Sequence, residues 1–238
     1  MPQASIIIRT KNEEKYLGQV LAMLKRQTFQ DFEVIIVDDS STDKTRAIAR
    51  KYDGKIVSLS KGKFTYPYAC NLGASHSKGQ YLVFLSGHSI PINEHWLARG
   101  LVNFQNKKVA GVFAEPLSLP DGTWVEKLFS LFNIRIFKRR RVIFGVGKKP
   151  RGGALGFTNA IIRRDLWEKY PLNEDFAGGG EDVDWAWHWL DKGYLIVREP
   201  DFVVYHSHNL GLVDLIKQYV GWKKMTKPGK FTPQKRNF

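Results

Sequence analysis

Cysteine is nearly absent from the chain. Cys70 is its one example in 238 residues, so no disulfide closes within it, and a reducing, cytoplasmic setting is expected. Long apolar runs are missing too. Clean stretches such as residues 81–85 fall far short of the ~20 residues a membrane-spanning helix needs, and no positively headed apolar leader opens the chain. Internal repeats and low-complexity blocks are absent, which excludes collagen-like, coiled-coil and solenoid architectures. What remains is globular in composition, with 43% apolar and 13% aromatic residues. A chain of this length buries a sizeable core as one large domain or two small ones.

Positive charge is plentiful but local. Lysine and arginine number 37 against 23 acids, a net charge of +14. Residues 135–151 hold eight basic residues and no acid, namely Arg135, Lys138, Arg139, Arg140, Arg141, Lys148, Lys149 and Arg151. Residues 215–238 hold seven more, again without an acid, and the rest of the chain carries 22 basic against 23 acidic residues. Nucleic-acid binders spread positive charge over a recognition helix or groove, so no nucleic-acid partner is expected. Two detachable basic segments interleaved with Ile, Phe, Val and Trp suit an anionic membrane surface or an acceptor lipid. Phe129, Leu131, Phe132, Ile134, Ile136 and Phe137, just before the arginine cluster, suit shallow insertion.

Residues 5–8 and 33–37 are short β-branched runs, and between them Leu17, Val20, Leu21 and Leu24 recur at helical spacing. The spacing predicts strand, helix, strand. Ser40 and Asp43 satisfy the capping-box spacing for a second helix with Ala47 and Ile48 on its inner face. Further strands are expected at residues 56–59, 81–85, 109–113 and 155–162, with a helix around residues 68–76. Beyond residue 113 the alternation lapses, and the glycine-bearing basic stretch 135–151 reads as a mobile excursion. A helix over residues 181–190, a strand pair near 195–197 and 202–205, and a final amphipathic helix over residues 212–224 complete the reading. Alternating strands and helices imply an α/β fold with a mostly parallel sheet and ligand-binding loops at the strand carboxyl ends.

Three common α/β chemistries fall away. The loop after the first strand, Arg9-Thr10-Lys11-Asn12-Glu13-Glu14, contains no glycine, so a dinucleotide fingerprint is missing. A phosphate-binding Gly-x-x-x-x-Gly-Lys loop and a Gly-x-Ser-x-Gly elbow are missing as well. What stands out instead is an acidic pair, Asp38 and Asp39, after the second strand, where a carboxylate accepts from a nucleobase edge or ribose hydroxyls; turn chemistry is the plainer role for such a run. A second acidic pair, Glu181 and Asp182, follows three glycines at a helix start.

The order and spacing of several segments resemble the family 2 glycosyltransferases of GT-A fold. The segments are Ser5-Ile-Ile-Ile-Arg-Thr-Lys-Asn-Glu-Glu, the run from Gln27 to Asp43, Asn71-Leu-Gly, Gly179-Gly-Glu-Asp and Val203-Val-Tyr-His-Ser-His. Phe84-Leu-Ser-Gly-His-Ser-Ile-Pro and Phe157-Thr-Asn-Ala are further similar to its rhamnosyltransferase-like branch. The resemblance implies a single Rossmann-like sheet flanked by helices, with a smaller antiparallel acceptor-side region. Residues 1–208 would form the glycosyltransferase domain, divided into a nucleotide-binding half (1–115) and an acceptor and catalytic half (116–208). Residues 209–238 would form a basic amphipathic helix and tail.

The same resemblance implies an inverting transferase that moves a sugar from a nucleotide-diphosphate donor, dTDP-rhamnose or a UDP- or GDP-sugar, to a hydroxyl of a glycan or lipid-linked acceptor. The rival is a non-catalytic nucleotide-sugar or polyanion-binding module on the same scaffold. Asp182, with Glu181 beside it, occupies the family's general-base position. Thr10, Asn12 and Glu14 fall on the nucleotide side and Asn71 near the ribose or diphosphate. Ser86-Gly87-His88 stands where the family usually has Asp-x-Asp, so His88 with His206 or His208 becomes the expected metal-ligand set, and imidazoles with phosphate oxygens suit Mn²⁺ better than Mg²⁺. Without a metal, cations such as Lys61 or Arg151 would have to neutralise the leaving diphosphate. Asn159 is a candidate for the donor hydroxyls and Trp185 for stacking on the acceptor sugar, while Trp187 shares an apolar helix face with Val183 and Leu190.

Overall fold

Three consecutive isoleucines show how the sheet is built. Ile7 faces one core and Ile6 and Ile8 the other, as the two-residue period of a strand buried on both faces demands. The computed structural model describes residues 1–137, 141–146, 154–176 and 178–225. The elements in chain order are β1 (Ala4–Thr10), α1 (Leu17–Lys25), β2 (Phe32–Asp38), α2 (Thr45–Lys51), β3 (Lys55–Ser58), α3 (Tyr66–Ser75), β4 (Tyr81–Ser86), β5 (Ile90–Pro91), α4 (Trp96–Leu101), β6 (Val109–Phe113), α5 (Trp124–Phe137), β7 (Val142–Phe144), β8 (Asn159–Arg163), α6 (Arg164–Lys169), α7 (Glu181–Asp191), β9 (Leu195–Arg198), β10 (Val204–Tyr205) and α8 (Leu212–Met225).

Eight strands form one sheet in the order β3-β2-β1-β4-β8-β6-β9-β7, and β10 pairs with β5 in a small antiparallel sheet. The pairings from β3 through β4 are all parallel, β6 runs parallel to β9, and β8 is antiparallel to both its neighbours. The chain leaves β1 toward β2 and β3, then returns through α3 to place β4 on the other side of β1. That reversal opens a crevice beyond the carboxyl ends of β1 and β4, the usual ligand site of such sheets.

One face of the sheet is covered by α1, α2 and α4, whose Leu17, Val20, Ala49, Trp96 and Leu97 pack on Ile6, Ile8, Ile36 and Val83. The other is covered by α3, α6 and α7 through Ala69, Cys70, Leu166, Trp185 and Trp189. Local signals set several helix starts. Thr65 accepts from the Tyr68 amide at 3.3 Å to cap α3, with Pro67 in the first turn. At α2 the N-cap position is Lys44, and Asp43 just before it accepts from the first helical amide, that of Thr45, at 2.9 Å. The expected Ser40 cap is corrected: Ser40 has φ of 54° and lies ahead of the helix.

Three other expectations change. The strand expected over residues 155–162 begins at Asn159, because Leu155 and Gly156 both have positive φ and break extended backbone. The two late strands do not pair with each other; β9 joins the main sheet and β10 the small one. The 135–151 stretch is in part ordered architecture. Residues 138–140 and 147–151 lie outside the described residues, but α5 runs through Phe137 and β7 closes the sheet edge against β9. Arg141 donates to Asn103 at 2.7 Å and pairs with Glu199 at 3.5 Å, holding that edge to the body.

Candidate active site

The loops after β1 and β2 are zipped together by short side chains. Asn12, at φ of 54°, accepts from the Thr42 amide at 2.9 Å, and its own amide donates to Ser41. Glu14 accepts from the Lys44 amide at 3.0 Å and donates its amide to Asp43, while the Glu13 amide donates to Thr45. Asp38 is fully buried and accepts from Thr10 at 3.3 Å and from the Ser41 amide at 3.2 Å. These bonds tie Thr10, Asn12, Glu14 and Asp38 into the two loops expected to receive the nucleotide. Asp39 is different: its carboxylate is met by the exposed Lys11 ammonium at 2.7 Å, a flexible partner that a nucleotide can displace.

After β4, the Gly87 amide donates to the Arg9 carbonyl at 2.9 Å and carries the chain across the β1 end. His88 then stacks on His206 with ring centroids 4.4 Å apart, and the Nε2 atoms of His206 and His208 lie 3.0 Å apart. One nitrogen from each of the three imidazoles falls within 4.8 Å of the others. Glu13 Oε1 lies 2.7 Å from His88 Nδ1, which fixes the proton there and leaves Nε2 as the free lone pair. That Nε2 is buried and has no partner among the described residues. His206 Nδ1 lies 3.2 Å from Ser89 Oγ. Burial, followed by the charge of His88, pushes His206 well below the ordinary histidine range and lowers His208 as well. Imidazole nitrogens this close together, one of them buried without a partner among the described residues, are a donor set that a transition-series divalent cation takes.

The loop carrying the two later histidines is fastened to α5. Glu126 Oε2 accepts from the Thr123 amide at 3.0 Å, and its Oε1 accepts from the His208 amide at 3.0 Å and the Leu210 amide at 3.3 Å. Thr123 in turn donates to the Leu210 carbonyl at 2.8 Å.

The second acidic pair sits at the start of α7. Gly179 and Gly180 take φ of 109° and 108°, a region where side chains are strained, so glycine is needed for the turn that presents the acids. Glu181 is 5% exposed and its Oε2 lacks a partner among the described residues. Asp182 Oδ1 accepts from the Val183 amide at 2.8 Å. Burial raises both carboxyls above the ordinary range, and for Glu181 the neighbouring Asp182 charge adds to it.

Arg9 joins the parts, and the sequence reading passed over it. Its Nη2 donates to the Phe157 carbonyl at 2.8 Å, its guanidinium lies 5.4 Å from the Tyr66 ring centroid, and its Nε is buried without a partner among the described residues. The Arg9 charge partly offsets the burial that raises Glu181 and Asp182, and adds a minor share to the lowering of His206. One guanidinium is thus felt by the acid pair and by the imidazole cluster. Strand parity with Ile7 was the available cue.

Three of the expected contact residues are engaged with the protein itself. Asn71 spends its amide on the Leu172 carbonyl at 2.8 Å and accepts from the Trp167 indole at 2.9 Å and the Leu172 amide at 3.1 Å, so it is a half-buried clamp under α6. Asn159 donates to the Phe202 carbonyl and accepts from the Trp96 indole at 3.1 Å inside the core. Trp185 is fully buried with its indole on the Tyr170 carbonyl at 2.8 Å, while Trp187 is half-buried, because Glu181, Trp185 and Trp189 share the face of α7 that packs inward. Ser86 ends β4 and Lys61 is exposed; Arg151 lies outside the described residues.

A family model described as Glycosyl transferase family 2 matches residues 5–170. The chain is 29% identical over 214 residues to the O-antigen chain rhamnosyltransferase WbaN of Salmonella anatum, covering 88% of this chain and 67% of that protein. It is 30% identical over 233 residues to the 4,4'-diaponeurosporenoate glycosyltransferase of Staphylococcus haemolyticus, covering 92% of this chain and 60% of the relative. Among solved structures, residues 1–349 of S. aureus TarS superpose with a TM-score of 0.69 at 20% identity, covering 86% of this chain and 60% of that one. The Pyrobaculum calidifontis mannosyltransferase PcManGT, in complex with GDP-Man and Mn²⁺, superposes with a TM-score of 0.65 at 20% identity, over 86% of this chain and 56% of that one. These superpositions establish the GT-A fold, and the chain spans about two thirds or less of the length of each of these proteins.

Proposed function

Because the chain belongs to glycosyl transferase family 2, we propose that it moves a sugar from a nucleotide-diphosphate donor to a hydroxyl of a glycan or lipid-linked acceptor, with inversion at the anomeric carbon. The observation that carries this reading is that Arg9 Nε and Glu181 Oε2, a cation and an acid, are both buried with no partner among the described residues. A single displacement needs such an arrangement: a base for the incoming alcohol and positive charge for the departing diphosphate.

In this reading Asp182 takes the proton of the acceptor hydroxyl, and burial keeps its basicity above that of a free carboxylate. The alcohol oxygen bonds to the anomeric carbon as the bond from that carbon to the diphosphate breaks. The leaving group departs with the bond's electron pair, and Arg9, with its free Nε, meets the added negative charge. Asp39, once Lys11 moves aside, receives hydrogen bonds from the ribose or the base edge. A divalent cation held by His88, His206 and His208 supplies further positive charge at the diphosphate when bound, and imidazole donors favour Mn²⁺ over Mg²⁺. A rhamnosyltransferase among the relatives, and neighbours solved with GDP-Man and with UDP-GlcNAc, support a rhamnose donor such as dTDP-rhamnose, a GDP-sugar or a UDP-sugar.

A calorimetric panel of UDP, GDP and dTDP with and without Mn²⁺ tests the reading, followed by release of sugar from the donor that binds. Binding of one diphosphate with slow sugar release to water supports a transferase. Binding without turnover under any acceptor supports the non-catalytic module, and no binding in any arm removes both.

A further inference from the structure

Two helices of the chain turn apolar stripes to solvent. On α5, Trp124, Leu128 and Leu131 recur one and two turns apart, with Trp124 70% and Leu131 61% exposed. The same helix turns Val125, Glu126 and Ser130 inward. On α8, Leu212, Val213, Ile216 and Val220 fall within an arc of about 100°, and all are exposed, Val213 at 64%. An isolated helix of this length is marginal in water and gains its stability by covering an amphipathic face. Among the described residues nothing covers these faces.

Charge indicates what covers them. In the sequence each stripe runs directly into basic residues: Arg135, Lys138, Arg139, Arg140 and Arg141 after the α5 stripe, and Lys223, Lys224, Lys227 and Lys230 after the α8 stripe. The remainder of the molecule is close to neutral. An apolar stripe beside a cationic run is the pattern of a helix lying in the headgroup region of an anionic bilayer, with Trp at the boundary between lipid and water. No helix of the described residues is long and apolar enough to cross a membrane, so such contact lies along the surface. A second copy of this chain would bring the same cationic runs against each other.

The two helices also begin at one point. Thr123, which precedes α5, donates to the carbonyl of Leu210, which precedes α8, and Glu126 holds the Leu210 amide. The histidine loop is fastened to the same point through the His208 amide, which donates to Glu126.

We infer that α5 and α8 form a docking surface for an anionic phospholipid bilayer, through Trp124, Leu128 and Leu131 on one helix and Leu212, Val213, Ile216 and Val220 on the other. The surface deepens the proposed transfer by placing the histidine loop beside a lipid-borne acceptor, and to that extent rests on it.

The test is flotation of the full chain with phosphatidylcholine vesicles that contain phosphatidylglycerol, against vesicles of phosphatidylcholine alone. The expected result is association with the anionic vesicles only, reversed by high salt. Replacing Leu128→Ser with Leu131→Ser, or Ile216→Ser with Val220→Ser, is expected to weaken partitioning on the order of tenfold or more. Thermal melting and nucleoside-diphosphate binding in vesicle-free buffer are expected to be unchanged, since these side chains are exposed. Absence of vesicle binding, or binding that the substitutions leave intact, overturns the surface. Self-association in sedimentation velocity that the same substitutions abolish also overturns it, in favour of a second copy. Because nucleotide binding is read separately, failure at the membrane is distinguished from failure of the transferase reading.

Discussion

Glu13 Oε1 lies 2.7 Å from His88 Nδ1 and so selects the tautomer whose lone pair is on Nε2, which is buried without a partner among the described residues. Gly87 makes room for that contact: a Cβ there would sit 2.6 Å from Glu13 Cγ. Replacing Glu13→Gln is expected to lower Mn²⁺ affinity about 10- to 100-fold, the usual cost of losing a carboxylate behind a ligating histidine. Gly87→Ala is expected to do the same by displacing Glu13. Metal titration by electron paramagnetic resonance checks both, and unchanged affinity would remove the imidazole cluster as the metal site.

Asp182→Asn keeps the shape of the side chain and removes the base. Turnover is expected to fall about 10²- to 10⁴-fold, while donor affinity stays within a few-fold. Paired kinetics and calorimetry decide it, since equal losses in both would make Asp182 a binding residue.

The raised carboxyl pKa values set a pH dependence. A base works deprotonated, so transfer is expected to decline as pH falls through the elevated range of the Glu181 and Asp182 pair, above where an exposed carboxylate titrates. Stability runs the other way. A carboxyl whose pKa is higher folded than unfolded costs stability at neutral pH, and that cost disappears as pH drops through the folded pKa toward the unfolded one. Glu181→Gln is therefore expected to melt higher than the parent at neutral pH, with the advantage shrinking in acid. A series of melting curves across pH measures it.

Asn71→Ala removes a clamp that serves the Trp167 indole and both backbone groups of Leu172. The expected cost is about 2–4 kcal/mol, read from urea unfolding, with nucleotide affinity of the folded fraction unchanged. A large loss of affinity at full stability would return Asn71 to the donor pocket.

Much of the frame was legible in the chain. The β-branched runs in β1, β2 and β4 and the spacing of Leu17, Val20, Leu21 and Leu24 in α1 are local signals, and they survive in the fold because local propensity and burial agree there. The inward face of α7 was not legible. Trp185, Trp187 and Trp189 alternate along one helix, so periodicity alone leaves the choice between Trp185 and Trp187 open, and packing against the sheet decides it. Asn71 and Asn159 were read as ligand contacts since their partners lie far along the chain, at Leu172 and at Trp96 and Phe202. Glu13 and Arg9 stood within the loop already singled out, yet their value depends on which strand ends meet, and no spacing rule reports that.

Glu126 has committed both oxygens, one to the first turn of α5 and one to the backbone of His208 and Leu210. The start of α5 and the backbone of His208 thus share one carboxylate, so a displacement of that helix is expected to reach the His208 imidazole directly, and where the molecule rests bears on how it grips a cation.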